Sequence, residues 1–373
     1  MEDGFADQYP ACCNSGIGSA YGGRYSKSKK FNANHELLDS SVHIDINDIQ
    51  LYAIFCGFNG GSNAAKFSMN RMVYEIFQDQ PIKTIMMSRE IIAELHRKFA
   101  NVARRYMDMM TDSLSERFIL KDQNDEVNAN AISELDQKIR EGCTAIVALR
   151  IECDLFVLNC GTSMAIAITD DPSDPVVRIN DQLHENENPV EIERLKNIGV
   201  DPENVLKPTR AIGDLHRIIA VPDIYHVVIQ NNWRYIVLIS DGVVQNLKEF
   251  QVEDVAMEVY ERLKEDHTAT STAQSLVDAF ARKHLDAYTR NMVENGFTFS
   301  NQREEMTVIF VKLEHDNLYE TFKSSTNSTL DYTQSTTDGG PVQPYVDVLP
   351  KSNKPDIQKF LLDTTKLFLD KSL

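Results

Sequence analysis

A few places in the chain hold side chains whose types and spacing could do chemistry. An aspartate ends an apolar run at Leu238-Ile-Ser-Asp241-Gly242. Another closes Thr209-Arg210-Ala-Ile-Gly-Asp214. A glutamate, Glu304, opens Glu304-Glu305-Met306-Thr307-Val308. A cysteine opens Cys56-Gly57-Phe58-Asn59-Gly60, and an arginine closes the glycine-rich run from Gly16 to Arg24. Carboxylates at strand ends can ligate hard cations or move protons. They also satisfy turn backbones, which is the commoner role of an aspartate beside glycine. A nucleophilic thiolate for phosphoester chemistry needs a phosphate-binding loop ending in arginine. The Cys56 loop lacks that arginine, so Cys56 reads as a small buried thiol. Arg210 suits an ion pair with Asp214 and suits a bound anion, and its spacing leaves both open.

The elements that must position these groups follow from periodicity. Alternating or apolar runs at 42–49, 51–55, 144–151, 155–159, 164–169, 235–239 and 306–313 predict strands. Helical spacing predicts helices at 64–77, 88–110, 131–141, 191–197, 252–263 and 274–292. Within 88–110, Ile92, Leu95, Phe99, Val102, Tyr106 and Met109 form one stripe, and Ser88 is the expected N-cap. Strands and long helices come in blocks, not as a regular βαβ repeat, which favours helices layered over sheets. Residues 321–343 are rich in Ser, Thr, Asn and Gly and poor in core residues. After Pro355, Ile357, Phe360, Leu361, Thr364, Leu367 and Phe368 fall on one helical face.

Bulk composition excludes some functions. The 373 residues are 42% hydrophobic and carry a formal charge of −18. That charge opposes nucleic-acid and anionic-membrane partners, both polyanions. No apolar run reaches the roughly 18 residues of a membrane span, and the first residues lack a secretory pattern. The six cysteines show no C-x-x-C pair. The expectation is a cytoplasmic protein, with the nucleus open, whose thiols are free.

Read in order, seven segments resemble the type 2C family of metal-dependent protein phosphatases. They are Gly16-Ile-Gly-Ser-Ala-Tyr-Gly-Gly-Arg24, Ile54-Phe-Cys-Gly-Phe-Asn-Gly60, Gly142-Cys-Thr-Ala-Ile-Val147, Leu158-Asn-Cys-Gly-Thr-Ser-Met-Ala165, Thr209-Arg-Ala-Ile-Gly-Asp214, Leu238-Ile-Ser-Asp-Gly242 and Glu304-Glu-Met-Thr-Val308. The resemblance covers roughly 16–313. It implies an α+β fold, a four-layer α/β/β/α sandwich of two antiparallel sheets flanked by helices. Expected divisions are an N-terminal segment 1–15, the phosphatase-like domain 16–314, a polar linker 315–343 and a partner-binding tail 344–373.

The family's chemistry needs two divalent cations bridged by a carboxylate, which activate a water and clamp the phosphate. Against that pattern the chain departs. Cys56, followed by Gly57, stands at the bridging aspartate. Lys29 falls where the opening motif has aspartate, Thr162 replaces the Gly-Asp-Ser aspartate, and Gln245 replaces the second aspartate after Ser-Asp-Gly. Phe58 replaces the turn's histidine. Asp241 and Glu304 still offer carboxylates, and Arg24 survives as a vestigial anion site. The resemblance therefore implies no metal cofactor and no catalysis. The departures are similar to those of the family's pseudophosphatase branch, whose members bind and activate a mitogen-activated kinase kinase kinase of the transforming-growth-factor-β-activated type. That branch binds kinase through a tail, and Pro344, Tyr345, Val346 and Asp347 resemble its start, with Phe360 and Leu361 as further anchors. A single-metal phosphatase using Asp241 and Glu304, and a scaffold for an unrelated partner, stay open as alternatives.

Overall fold

Strand β5 shows how two sheets come to share one core. Its residues alternate between two apolar environments. Leu51, Ala53 and Phe55 face the helices on one side, and Tyr52, Ile54 and Cys56 face the second sheet. A strand covered on both faces reads as a continuous apolar run, as this one does. The structure is a computed structural model. It describes residues 9–313 except 29, 35, 79–81, 83–86, 124–127, 198, 203–207, 214–219 and 291–299. Lys29, Asp214, the linker 315–343 and the tail 344–373 lie outside the described residues.

The strands are β1 (Ser15–Ala20), β2 (Gly23–Tyr25), β3 (Phe31–Ala33), β4 (Ser40–Ile46), β5 (Ile49–Phe58), β6 (Gly142–Ile151), β7 (Asp154–Cys160), β8 (Met164–Thr169), β9 (Val176–Arg178), β10 (Ile212–Gly213), β11 (Asp223–Val228), β12 (Trp233–Ile239), β13 (Gln302–Arg303) and β14 (Met306–Lys312). The helices are α1 (Ser62–Phe77), α2 (Ser88–Asp122), α3 (Ala129–Arg140), α4 (Pro189–Asn197), α5 (Asp241–Glu249), α6 (Val255–Arg262) and α7 (Ala269–Thr289). One sheet runs β11-β7-β6-β5-β4 with β10 paired to β6, and the second runs β1-β14-β12-β8-β9. Every strand pair is antiparallel. A small sheet β13-β2-β3 stands beside them.

The core has three apolar layers. Helices α1 and α2 cover the first sheet through Met72, Val73 and Ile76 of α1 and Ile91, Leu95, Phe99, Val102 and Tyr106 of α2. Tyr52, Ile54, Ile146, Leu238 and Ile309 fill the space between the sheets. Val243, Leu247, Val259, Leu276 and Phe280 of α5–α7 cover the second sheet. The expected α/β/β/α sandwich is the observed architecture.

Some elements differ from the sequence reading. Helix α2 runs to Asp122, not to 110, because its polar end packs on α3 through the Arg117–Asp136 ion pair. Ser88 is its first helical residue, and the N-cap is Met87, with no side-chain cap bond. The predicted helix 252–263 is α6, capped by the Asp254 side chain, and it is preceded by α5, which begins at Asp241 itself. Strand β11 has no counterpart in the sequence reading. Its mix of Asp, His and valine hid the alternation.

Candidate functional site: a carboxylate cluster around Cys56

Cys56 ends the buried part of β5, at the inter-sheet core. Asp241 begins α5 directly after β12. Asp39 lies just before β4, which pairs with β5. These three side chains each bring one ligand-type atom, an oxygen or Sγ, to within 4.8 Å of the other two. The approach is fixed by Gly242, where a Cβ would stand 1.7 Å from the Glu305 carbonyl oxygen. Only glycine allows α5 to start this close to the chain entering β14.

The hydrogen bonds around the cluster are specific. Glu305 accepts the Leu38 and Asp39 backbone N–H groups at 3.0 and 2.8 Å. Asp39 accepts the Thr307 hydroxyl at 2.7 Å, and Asp241 accepts the Thr144 hydroxyl at 3.3 Å. Ser163 Oγ lies 3.7 Å from Cys56 Sγ. No lysine or arginine neutralises Asp39, Asp241 and Glu305 among the described contacts. Burial, then the charges of Glu305 and Asp241, holds the Asp39 carboxyl well above its usual range. Burial also raises the Asp241 and Glu305 carboxyls. Burial and the two aspartates push the Cys56 thiol well up, so it stays protonated.

The residues singled out from sequence are dispersed around this cluster. Glu304 is half-buried, accepts from Gln302 at 2.8 Å, and stands outside the three-residue group. Its neighbour Glu305 is the one that faces Asp39. Gln245 is exposed on α5, and its neighbour Asn246 instead bonds both backbone groups of Glu304 at 3.0 Å. Thr162 is buried, and its hydroxyl has no hydrogen-bond partner among the described atoms. Gly57 packs against the Gly61 and Leu38 carbonyls, and the Phe58 ring lies over Gly142. Arg24 is exposed and bonds Gln302 at 3.3 Å. The reading that only Asp241 and Glu304 keep carboxylates is corrected: Asp39 and Glu305 are there as well. Asp39 was missed because the loop after β3 has no fixed length to count across. The Glu-x-Met-Thr match drew attention to Glu304 alone.

A second buried charge cluster adjoins. Arg210 donates to Glu191 at 3.0 and 2.5 Å and to Asp223 at 2.8 Å. This decides the question left open for Arg210. It sits in an ion-pair network, with partners other than Asp214. Glu191 also accepts from Arg194 and Thr209. Burial pushes Glu191 up, and the two arginines outweigh it, lowering the carboxyl to about 2. His184 Nδ1 accepts the Gly161 N–H at 2.9 Å, so Nε2 carries the proton and donates to Asp223 at 3.0 Å. Gly161 adopts φ +147°, and a Cβ there would meet the Thr144 side chain at 2.4 Å.

Fold and site together define a phosphatase-like domain, and comparison with known proteins places it. The chain belongs to the protein phosphatase 2C family, whose family model matches residues 32–286. It is 50% identical over 366 residues, 93% of this chain and 94% of the relative, to the Caenorhabditis elegans protein "TGF-beta-activated kinase 1 and MAP3K7-binding protein 1". It is 23% identical over 295 residues, 74% of this chain and 87% of the relative, to "Probable protein phosphatase 2C 2" of Paramecium tetraurelia. Among solved structures, a C. elegans sex determining protein superposes with TM-score 0.56 at 14% identity, over 83% of this chain and 67% of that one. The serine/threonine phosphatase Stp1 of Staphylococcus aureus gives TM-score 0.52 at 15% identity, over 82% and 97%. At these identities the two structures bear on the fold alone.

Proposed function

We propose that this chain is a non-catalytic member of its family that binds and activates a MAP kinase kinase kinase of the TGF-β-activated type. The observation that carries this reading is the 50% identity over nearly the whole chain to a protein named for binding that kinase. The kinase-contacting segment is the tail from Pro344, with Tyr345, Val346, Phe360 and Leu361 as anchors. The phosphatase-like domain serves as an interaction platform, and the tether raises the tail's effective concentration near bound partners. Kinase capture by the full chain and by a version lacking 341–373 tests the tail. The expected result is loss of capture with an unchanged melting temperature. Equal capture by both would refute the tail's role.

The family's pair of hard cations does not fit the residues present. Such a centre needs a bridging carboxylate and several anionic oxygens to offset the repulsion of two dications. Here a protonated thiol occupies the bridging position, Thr162 is neutral and Gln245 faces solvent. No phosphate-hydrolysis step is therefore assigned to this domain. A second reading has one observation in its favour. Asp39, Cys56 and Asp241 stand close enough for one divalent ion, which would make a single-metal phosphatase. Calorimetric titration with Mn²⁺ separates the readings: a stoichiometric heat favours the single-metal enzyme, and no heat favours the adaptor.

A further inference from the structure

The edges of the two large sheets are not treated alike. An unpaired strand edge presents a row of backbone donors and acceptors to any extended peptide. Edge β4 is covered by the chain itself. Cys12 N–H donates to the His43 carbonyl at 3.1 Å, Asp45 N–H donates to the Pro10 carbonyl at 3.3 Å, and Ala11 bridges Ile44. Edge β1 is capped by Gln274, whose side chain bonds both the N–H and the C=O of Ser19 at 3.1 Å. Edge β9 is three residues long and ends at Arg178, which pairs with Asp254.

Edge β11 is guarded less: its one cap among the described residues is Gln230 Nε2, which donates to the Val228 carbonyl at 2.7 Å. It pairs with β7 without a bulge over Asp223–Val228. Just past it, Ile229 N–H donates to the Cys153 carbonyl at 2.8 Å. Antiparallel pairing alternates, so Tyr225 and Val227 also bond β7, and Ile224, His226 and Val228 turn their N–H and C=O groups outward. Apart from that capped Val228 carbonyl, those outward groups bond no described residue. Val228 and Val221 beside them are 44% and 46% exposed. The edge is thus a six-residue template with an apolar shoulder.

The sequence holds a segment of matching kind. Pro344-Tyr345-Val346-Asp347-Val348-Leu349-Pro350 is a short β-forming run bounded by prolines, with valines on one face. The chain also leaves the described domain close by. Leu313, where it does so, donates its N–H to the Arg234 carbonyl at 3.0 Å, a few residues after β11 ends. The 31 residues from 314 to 344 span up to about 100 Å when extended, ample to reach the edge.

We propose that residues 345–349 add to β11 as a further antiparallel strand of the first sheet, in the free chain. This rests on the kinase-binding reading in one respect only: if Tyr345 and Val346 also anchor the kinase, the β11 edge and the kinase compete for one segment. The docking itself stands on the edge and the segment.

Hydrogen–deuterium exchange on the full chain tests it, with and without the double substitution Val346→Pro and Asp347→Pro. Proline removes one N–H of each parity from the segment, and the substitutions fall outside the folded domain. The expected result is that the peptide spanning 221–230 exchanges about tenfold faster in the variant, because Ile224, His226 and Val228 lose their partners. Equal exchange in both chains overturns the proposal. So does protection that rises with protein concentration, which would mean that a second copy covers the edge. Adding the kinase domain to the wild-type chain is a separate arm. Faster exchange at 221–230 is expected. If the substitutions release the edge and the kinase does not, the docking holds and the kinase-anchor reading of Tyr345 and Val346 fails.

Discussion

Two clusters of carboxylates, one around Cys56 where the two sheets meet and one around Arg210, are balanced in opposite ways. Glu191 and Asp223 are neutralised by Arg210, with Arg194 and His184 completing the network. Asp39, Asp241 and Glu305 have no such cation and are held by hydroxyl and backbone donors instead. The first cluster keeps its carboxyls ionised, and burial holds those of the second towards the protonated form. The difference teaches what each is for. A paired network is scaffold. An unpaired group of half-buried carboxylates around a thiol is a candidate site for a single cation.

The largest effect is expected from breaking the paired side. Arg210→Met leaves Glu191 and Asp223 buried without their cation and should cost about 3–5 kcal/mol in urea unfolding. A loss below about 1 kcal/mol would mean that the network is held by Arg194 alone. The opposite sign is expected on the unpaired side. Asp39→Asn keeps the acceptor for Thr307 and removes a like charge, so it should stabilise by about 0.5–2 kcal/mol at pH 8. Asp39 has a folded pKa above its unfolded value. Its favourable contribution is therefore present in acid and lost as pH rises through the folded pKa. The gain from Asp39→Asn should accordingly shrink towards pH 4, and a gain independent of pH would contradict the charge argument.

The smallest effect concerns His184, which joins the two regions through Gly161. Its pKa is lowered by burial, against the pull of Asp223. The unfolded chain then binds the proton better, so stability from neutral His184 is present above about pH 6.5 and declines as pH falls below it. Glu191 adds a second decline between its unfolded value of 4.5 and about 2. His184→Gln should remove the first decline and leave the second, read from melting temperature against pH.

The sandwich was legible in sequence because buried strands announce themselves. β5, β6, β8 and β12 are apolar on both faces and could be placed within a few residues. β11 was not, since His226 is tied to Asp154 and stacked on Phe156, which makes a polar residue serve as a core-facing one. At the site, Cys56 and Asp241 were legible from their motifs, whose glycines fix local geometry. Asp39 and Glu305 were not, because their roles arise from proximity across strands and no local spacing encodes it. The Arg210 network joins residues 13 to 19 positions apart, which is likewise invisible to pattern. The tail was read from sequence alone and lies outside the described residues.

The central claim is that a site centred on a protonated Cys56 cannot assemble the family's metal pair. Its most direct test is steady-state turnover of an aryl phosphate by the full chain in saturating Mn²⁺, beside an intact family member. The account predicts a rate indistinguishable from the buffer control. Turnover within about tenfold of the intact enzyme, about 1.4 kcal/mol in transition-state stabilisation, would contradict it.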